Sequence, residues 1–123
     1  MSTQEVANKL VAYCRMGEYT KAQEELYDEN AVSIEPDGTP MPRVQGKEAL
    51  QKKAEQWGEM VEAVHGGEVS DPLVADPFFT ITQKMDVTFK GAPRQTIQQV
   101  CVYQVANGKV VLEHFFYPPM PME

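Results

Sequence analysis

The chain is poor in the residues that usually announce a chemistry. Its 123 residues include two cysteines, two histidines and one tryptophan, and no CxxC pair, HExxH helix, Gly-rich phosphate loop or GxSxG elbow is present. A zinc site gathers three or four clustered ligands, so this supply gives no ground for a bound metal, and neither a metal nor a cofactor is expected. Cys14 and Cys101 stand far apart inside apolar patterns, as reduced core thiols of a cytoplasmic protein do, and no disulfide is expected. Basic residues also run short, with 11 Lys and Arg against 18 Asp and Glu, a formal charge of −7. A phosphate backbone would be repelled on average, so nucleic acid is not an expected partner. No apolar run approaches the ~18 residues that cross a bilayer. The opening MSTQEVANKL carries Glu5 where a signal peptide would turn from basic to apolar. These absences leave a cytoplasmic protein without membrane contact.

What is present is an ordinary globular composition, 42% hydrophobic, in a length that suits one core. Val6, Leu10, Tyr13 and Cys14 recur at helical spacing behind a capping box of Ser2 and Glu5, which predicts a helix over residues 2–16 ended by Gly17. A second helix is expected over 18–27 and a third from 46 or 47 to Trp57, with Leu50, Ala54 and Trp57 inward and Lys52 and Lys53 on the solvated side. Between them, 31–35 reads as a short strand. The segment PDGTPMPRVQG, with three prolines and two glycines, reads as a long loop with no ladder or helix, and whether that loop, 36–46, is a lid stays open.

From residue 61 the period changes to two. Strands are expected over 61–70, 78–89, 94–106 and 109–117, the last three joined as a meander by turns at Lys90-Gly91-Ala92-Pro93 and Ala106-Asn107-Gly108-Lys109. Phe79, Ile81, Gln83, Met85, Val87 and Phe89 share the packed face of one strand. The tail 118–123 has no periodicity and is expected to be flexible. Apolar residues at both parities of the last two strands leave Val100, Val102, Leu112, His114 and Phe116 on the outer face, which predicts a homodimer.

The strings MGEYTKAQEELYDENAVSIEP, GKEALQKKAEQW, VHGGEVSDPLVADPFFTI and VYQVANGKVVLEHFFY, in that order, give the chain a resemblance to the SnoaL-like branch of the nuclear transport factor 2-like superfamily. The resemblance implies one α+β domain over 1–117, a cone of strongly bent, mixed or antiparallel sheet covered by three N-terminal helices around an internal pocket. Relatives include ketosteroid isomerases and polyketide cyclases, and also non-catalytic binding and scaffold domains, so the fold by itself selects no chemistry.

Within that frame Glu35 of SIEPDG resembles the acidic general base that ketosteroid isomerases carry before a proline, at a pocket mouth where it would abstract a proton next to a carbonyl. The two oxyanion donors of those isomerases fall at Leu10 and Cys101, so steroid isomerisation itself is not expected. Tyr13, one turn on from Leu10, is a possible substitute donor or a core tyrosine. Alternation groups Glu113 with Phe115 and Tyr117, a set that the resemblance turns into the cone; a solvated strand acid is the plainer reading. His65, followed by two glycines where a bulge would bend the sheet, is either an acid–base partner for Glu35 or a half-exposed strand histidine. The resemblance also turns Gln99 and Tyr103 inward beside Cys101. Trp57, Phe79, Gln83, Met85, Phe115 and Tyr117 complete the expected ligand wall, serving as core as well. The expected ligand is a small apolar or carbonyl-containing molecule. The function is isomerase, cyclase or dehydratase chemistry with an acidic general base, or, as the alternative, non-catalytic ligand binding or dimeric assembly.

Overall fold

Ser2 opens the first helix of the computed structural model, which describes residues 1–39 and 41–118. The Ser2 side chain accepts from the Glu5 N–H and Glu5 reaches back to the Ser2 N–H, so the capping box forms reciprocally and starts α1, Thr3–Arg15. Val6, Ala7, Leu10, Val11 and Cys14 form its buried stripe, at the three- and four-residue steps that keep one helical face inward. Gly17, at φ +71, turns the chain into α2, Tyr19–Leu26. Helix α3 is Lys47–Met60. It runs three residues past the expected Trp57, through Gly58 to Met60, whose carbonyl accepts from the Lys90 N–H at 2.8 Å.

The strands are β1 Tyr27–Ile34, β2 Arg43–Gln45, β3 Val61–Val69, β4 Leu73–Ala75, β5 Phe78–Phe89, β6 Gln95–Ala106 and β7 Lys109–Phe116. They form one mixed, strongly curled sheet in the order β2-β1-β7-β6-β5-β3, with β4 sharing the β3 edge of β5. β5, β6 and β7 are the expected antiparallel meander, and Asn107 and Gly108, both at positive φ, make its last turn. β1 joins β7 in parallel, which closes the sheet beneath α3. Where β3 crosses β5, a Cβ on Gly67 would stand 2.8 Å from the Lys84 carbonyl oxygen, so only glycine allows that approach.

Three expectations are corrected. β1 begins at Tyr27 and not at Ala31: Tyr27 pairs with Val110, and a register shift then lets the polar Asp28-Glu29-Asn30 run bulge before Val32 meets Leu112. The Pro-rich segment contains a ladder after all, since Arg43–Gln45 lies beyond its last proline and keeps every N–H for pairing with Val32–Ile34. β4 was unexpected because three residues between two prolines show no alternation. Of the expected flexible tail, 118–123, residues 119–123 lie outside the described residues.

The core lies between the helices and the concave side of the sheet, where Leu10, Leu26 and Leu50 meet Phe79, Ile81 and Val110. Each such side chain contributes roughly 1.5–3 kcal/mol by leaving water, and Val87 is sealed on the same face of β5. Among the described residues no helix is long and apolar enough to cross a membrane.

Candidate functional site

The pairing register decides which side chains meet inside the curl. Ser33 lies beside Glu113, Glu113 beside Tyr103 and Tyr103 beside Phe79, a single row across β1, β7, β6 and β5. The next row is Phe115, Cys101 and Ile81. Two strand positions along, Gln99 faces Gln83 and donates to its Oε1 at 2.7 Å, with the Cys101 Sγ at 4.0 Å from the same oxygen.

Helix α3 carries a cation into this face. Lys53 was expected on the solvated side, yet its side chain is only 19% exposed and its Nζ stands 2.5 Å from Glu35 Oε2. Its ammonium donates to the Ser33 hydroxyl at 2.8 Å and lies 5.5 Å from the Phe115 ring centre. The helical spacing contains the reason: 50, 53, 54 and 57 form one stripe, so Lys53 stands between Leu50 and Trp57 on the inward side. Glu35 is 13% exposed, and its other oxygen accepts from the Tyr117 hydroxyl at 2.6 Å. Arg43, which the Pro-rich segment also offers, is exposed.

Glu113 is buried, not solvated. The Tyr27 hydroxyl donates to it from the start of β1. Burial pushes its carboxyl above the ordinary carboxylate range, and the neighbouring Glu35 adds to that rise; bonds from Tyr27 and Ser33 and the charge of Lys53 oppose it. Tyr27 is pushed well up, first by burial and then by Glu113. Tyr117 rises by burial and by its bond to Glu35. Burial pushes the thiols of Cys14 and Cys101 up to about 12, which leaves them as small apolar residues with little thiolate.

Of the expected site residues, the structure brings Glu35, Glu113, Phe115 and Tyr117 into one cluster with Ser33, Lys53 and Tyr27. Phe79 and Tyr103, stacked at 4.8 Å between ring centres, floor it. Met85 is half-buried on the β5 face, and Trp57 meets Phe89 edge-on at 6.1 Å. Two candidates lie elsewhere. His65 is exposed beside Thr88 Oγ1 at 2.8 Å, because the register shift at Val61/Ala63 pairs Ala63 with Thr88, and His65, two residues on, shares that face, opposite to Phe79 and Ile81. Tyr13 packs half-buried against the core, as a core tyrosine would, and donates to Glu25 at 2.9 Å. Lys53 and Tyr27 are the members that sequence reasoning missed; for Tyr27 no local signal existed, since its partner is 86 residues away.

Among the described residues no group of three or more His, Cys, Asp or Glu side chains converges as a metal site requires. Two open hollows, of about 490 Å³ beside Met1 and Asn107 and about 400 Å³ at the start of α3, are lined by neither Glu35, Lys53 nor Glu113.

Comparison with known proteins agrees with this architecture. A family model described as a SnoaL-like domain matches residues 1–117. A solved structure from Mesorhizobium loti, described as a candidate SnoaL-like polyketide cyclase with carbohydrate phosphatase in brackets, is 36% identical over 95% of this chain and 100% of its own, with a TM-score of 0.90. A candidate isomerase from Bacillus subtilis is 21% identical over 97% of this chain and 91% of its own, TM-score 0.73. TerC co-crystallised with polyporic acid is 11% identical over 95% and 92%, TM-score 0.78. No curated protein compared matches the chain.

The environment of Glu113 has a consequence for stability. The folded protein holds the Glu113 proton more tightly than the unfolded chain, so this contribution is complete below pH 4.5, the ordinary value, and declines as pH rises toward the folded value. Glu113→Gln keeps an acceptor for Tyr27 and does not titrate. Its urea midpoint relative to the natural protein is therefore expected to improve steadily as pH is raised from 4.5; a difference that stays constant with pH would show that Glu113 is not held neutral.

Proposed function

The chain belongs to the SnoaL-like family, and from that premise we propose a small-molecule pocket protein, one domain over 1–117, in which Glu35 is the general base of a cofactor-independent isomerisation, cyclisation or dehydration. One observation carries the reading. The Glu35 carboxylate sits at the rim of the concave face, held by two side chains, Tyr117 on one oxygen and Lys53 on the other. A carboxylate offers about four acceptor sites, so two remain to take a proton from a ligand. The proton leaves the carbon next to a carbonyl for Glu35, the C–H electron pair becomes the enolate double bond, and the negative charge moves to the carbonyl oxygen. Return of the proton to another carbon completes an isomerisation.

The ligand is a small carbonyl-containing or apolar molecule bounded by Phe115, Tyr117, Trp57, Met85, Gln83 and Gln99, above the Phe79 and Tyr103 floor. The M. loti relative and the polyporic acid complex of TerC support a small-molecule ligand of this kind. Steroid isomerisation is not part of the proposal, because buried Leu10 and Cys101 stand at the positions of its two oxyanion donors. Glu113 completes the acid–base group from behind Ser33. His65, exposed on the other face, is retained only as a candidate for ligands reaching that side.

A second reading has an observation of its own: a mostly buried lysine–glutamate pair is also how a fold pins a helix over a strand, and this would suit non-catalytic binding or assembly. For assembly we propose a second copy of this chain on the outer sheet face, where Val100 and Phe116 pair across strands at 42% and 48% exposure and His114 stacks on Phe116 at 4.2 Å. Nucleic acid and membrane are not proposed partners, and the setting proposed is cytoplasmic.

Two measurements test these proposals. Deuterium uptake from heavy water into cyclohexanone and β-tetralone, read by NMR, is expected to be accelerated by the protein. Glu35→Gln, with an unchanged circular dichroism spectrum, is expected to lose about a hundredfold or more of that rate. Full rate in Glu35→Gln contradicts the base assignment, and no acceleration by the natural protein hands the site to the non-catalytic reading. Light scattering is expected to give twice the chain mass of 13.8 kDa, and a mass of 13.8 kDa contradicts the dimer.

A further inference from the structure

We infer that Lys53 is a second catalytic residue of this site, the cation that receives the oxygen of an enolate or phenolate, and that the ligands taken are accordingly carbonyl compounds or phenols with an acidic proton. The inference rests on the reading of Glu35 as base and goes beyond it, because it names the group that meets the charge which the base creates.

Three features carry it. An ammonium has three N–H donors. Two are engaged, by the Ser33 hydroxyl at 2.8 Å and by Glu35 Oε2 at 2.5 Å, and the third has no partner among the described residues. Lys53 is also anchored from below. Ser33 is fully buried in β1, directly beside Glu113 in the strand register, so the ammonium keeps its place when Glu35 changes charge. Finally, the Nζ stands 5.5 Å from the centre of the half-buried Phe115 ring, at the rim, beside an aromatic surface that suits a planar conjugated ligand.

The charge changes fit one another. Before reaction Lys53 and Glu35 form a neutral pair. When Glu35 accepts the ligand's proton, its carboxylate charge disappears and an equal charge appears on the ligand oxygen. The ammonium thus exchanges one anionic partner for another without any net charge entering a partly dry site. Its attraction for the ligand is weak while Glu35 is ionised and strong once the proton has moved, the differential binding that lowers a barrier. Lys53 and the Tyr117 hydroxyl that Glu35 releases are the donors beside that oxygen.

The test uses 4-nitrophenol, whose visible absorption reports directly whether it is bound as phenol or phenolate. Lys53→Met alone would leave the Glu35 charge mostly buried without its cation, so the comparison is Glu35→Gln against the double variant Glu35→Gln/Lys53→Met, in which no charge is stranded. Glu35→Gln, freed of the competing carboxylate, is expected to bind phenolate about tenfold tighter than the natural protein. The double variant is expected to bind it about tenfold or more weaker than Glu35→Gln, and in the neutral phenol form. Equal phenolate binding by both variants, or none by Glu35→Gln, overturns the assignment of Lys53. The deuterium-exchange assay keeps the two readings apart. Loss of exchange in Glu35→Gln with Lys53-independent phenolate binding removes only the present inference; intact exchange with Lys53-dependent binding removes only the base.

Discussion

Where the third helix lies over the first strand, Lys53 and Glu35 meet at 2.5 Å with 19% and 13% of their side chains exposed, and the arrangement of the concave face follows from that contact. Taking two such charges out of water costs several kcal/mol for each ion, which the pair recovers only if its remaining hydrogen-bonding capacity is met. It is met in part: the Tyr117 hydroxyl donates to one Glu35 oxygen and the Ser33 hydroxyl accepts from the Lys53 ammonium. Removing either partner would strand the other's charge, so the pair ties α3 to the end of β1, where Tyr117, just past β7, joins it.

The same cation serves two carboxyls in unlike surroundings. Glu113 is sealed behind Ser33 under Tyr27, and its burial favours the neutral form even though Lys53 is near. Glu35 stands at the rim where solvent or a ligand can reach it. With Lys53 on one oxygen and Tyr117 on the other, its carboxylate keeps acceptor sites toward that side. The wall around them is apolar and aromatic, and the thiols within it are too buried to ionise. The chemistry of this face is therefore that of proton transfer and charge exchange.

What was legible in the sequence was local. The Ser2–Glu5 box, the Asn107-Gly108 turn and the alternation from Phe78 to Phe89 each state a geometry within a dozen residues, and each forms as expected. Tyr27 was hidden because its strand pairing is broken by a bulge at a polar run, and its hydroxyl partner lies in the last strand. Lys53 was misplaced because a helix lysine is ordinarily solvated; only the position of β1 beneath α3 makes its inward spacing decisive. Glu113 was placed correctly by parity, but its burial depended on the parallel pairing of β1 with β7, which no short pattern announces. His65 was drawn to the site by its neighbouring glycines, whereas an earlier register shift, at Val61/Ala63, sets the ring on the other side of the sheet.

The central claim is that Lys53 and Glu35 act as one coupled unit and are not two independent surface charges. A double-mutant cycle on unfolding free energy, from Lys53→Met, Glu35→Gln and the pair together, measures that coupling directly. The account predicts a coupling above about 1 kcal/mol, with the double variant more stable than Lys53→Met alone. A coupling within about 0.5 kcal/mol of zero, the range of exposed ion pairs, would contradict it.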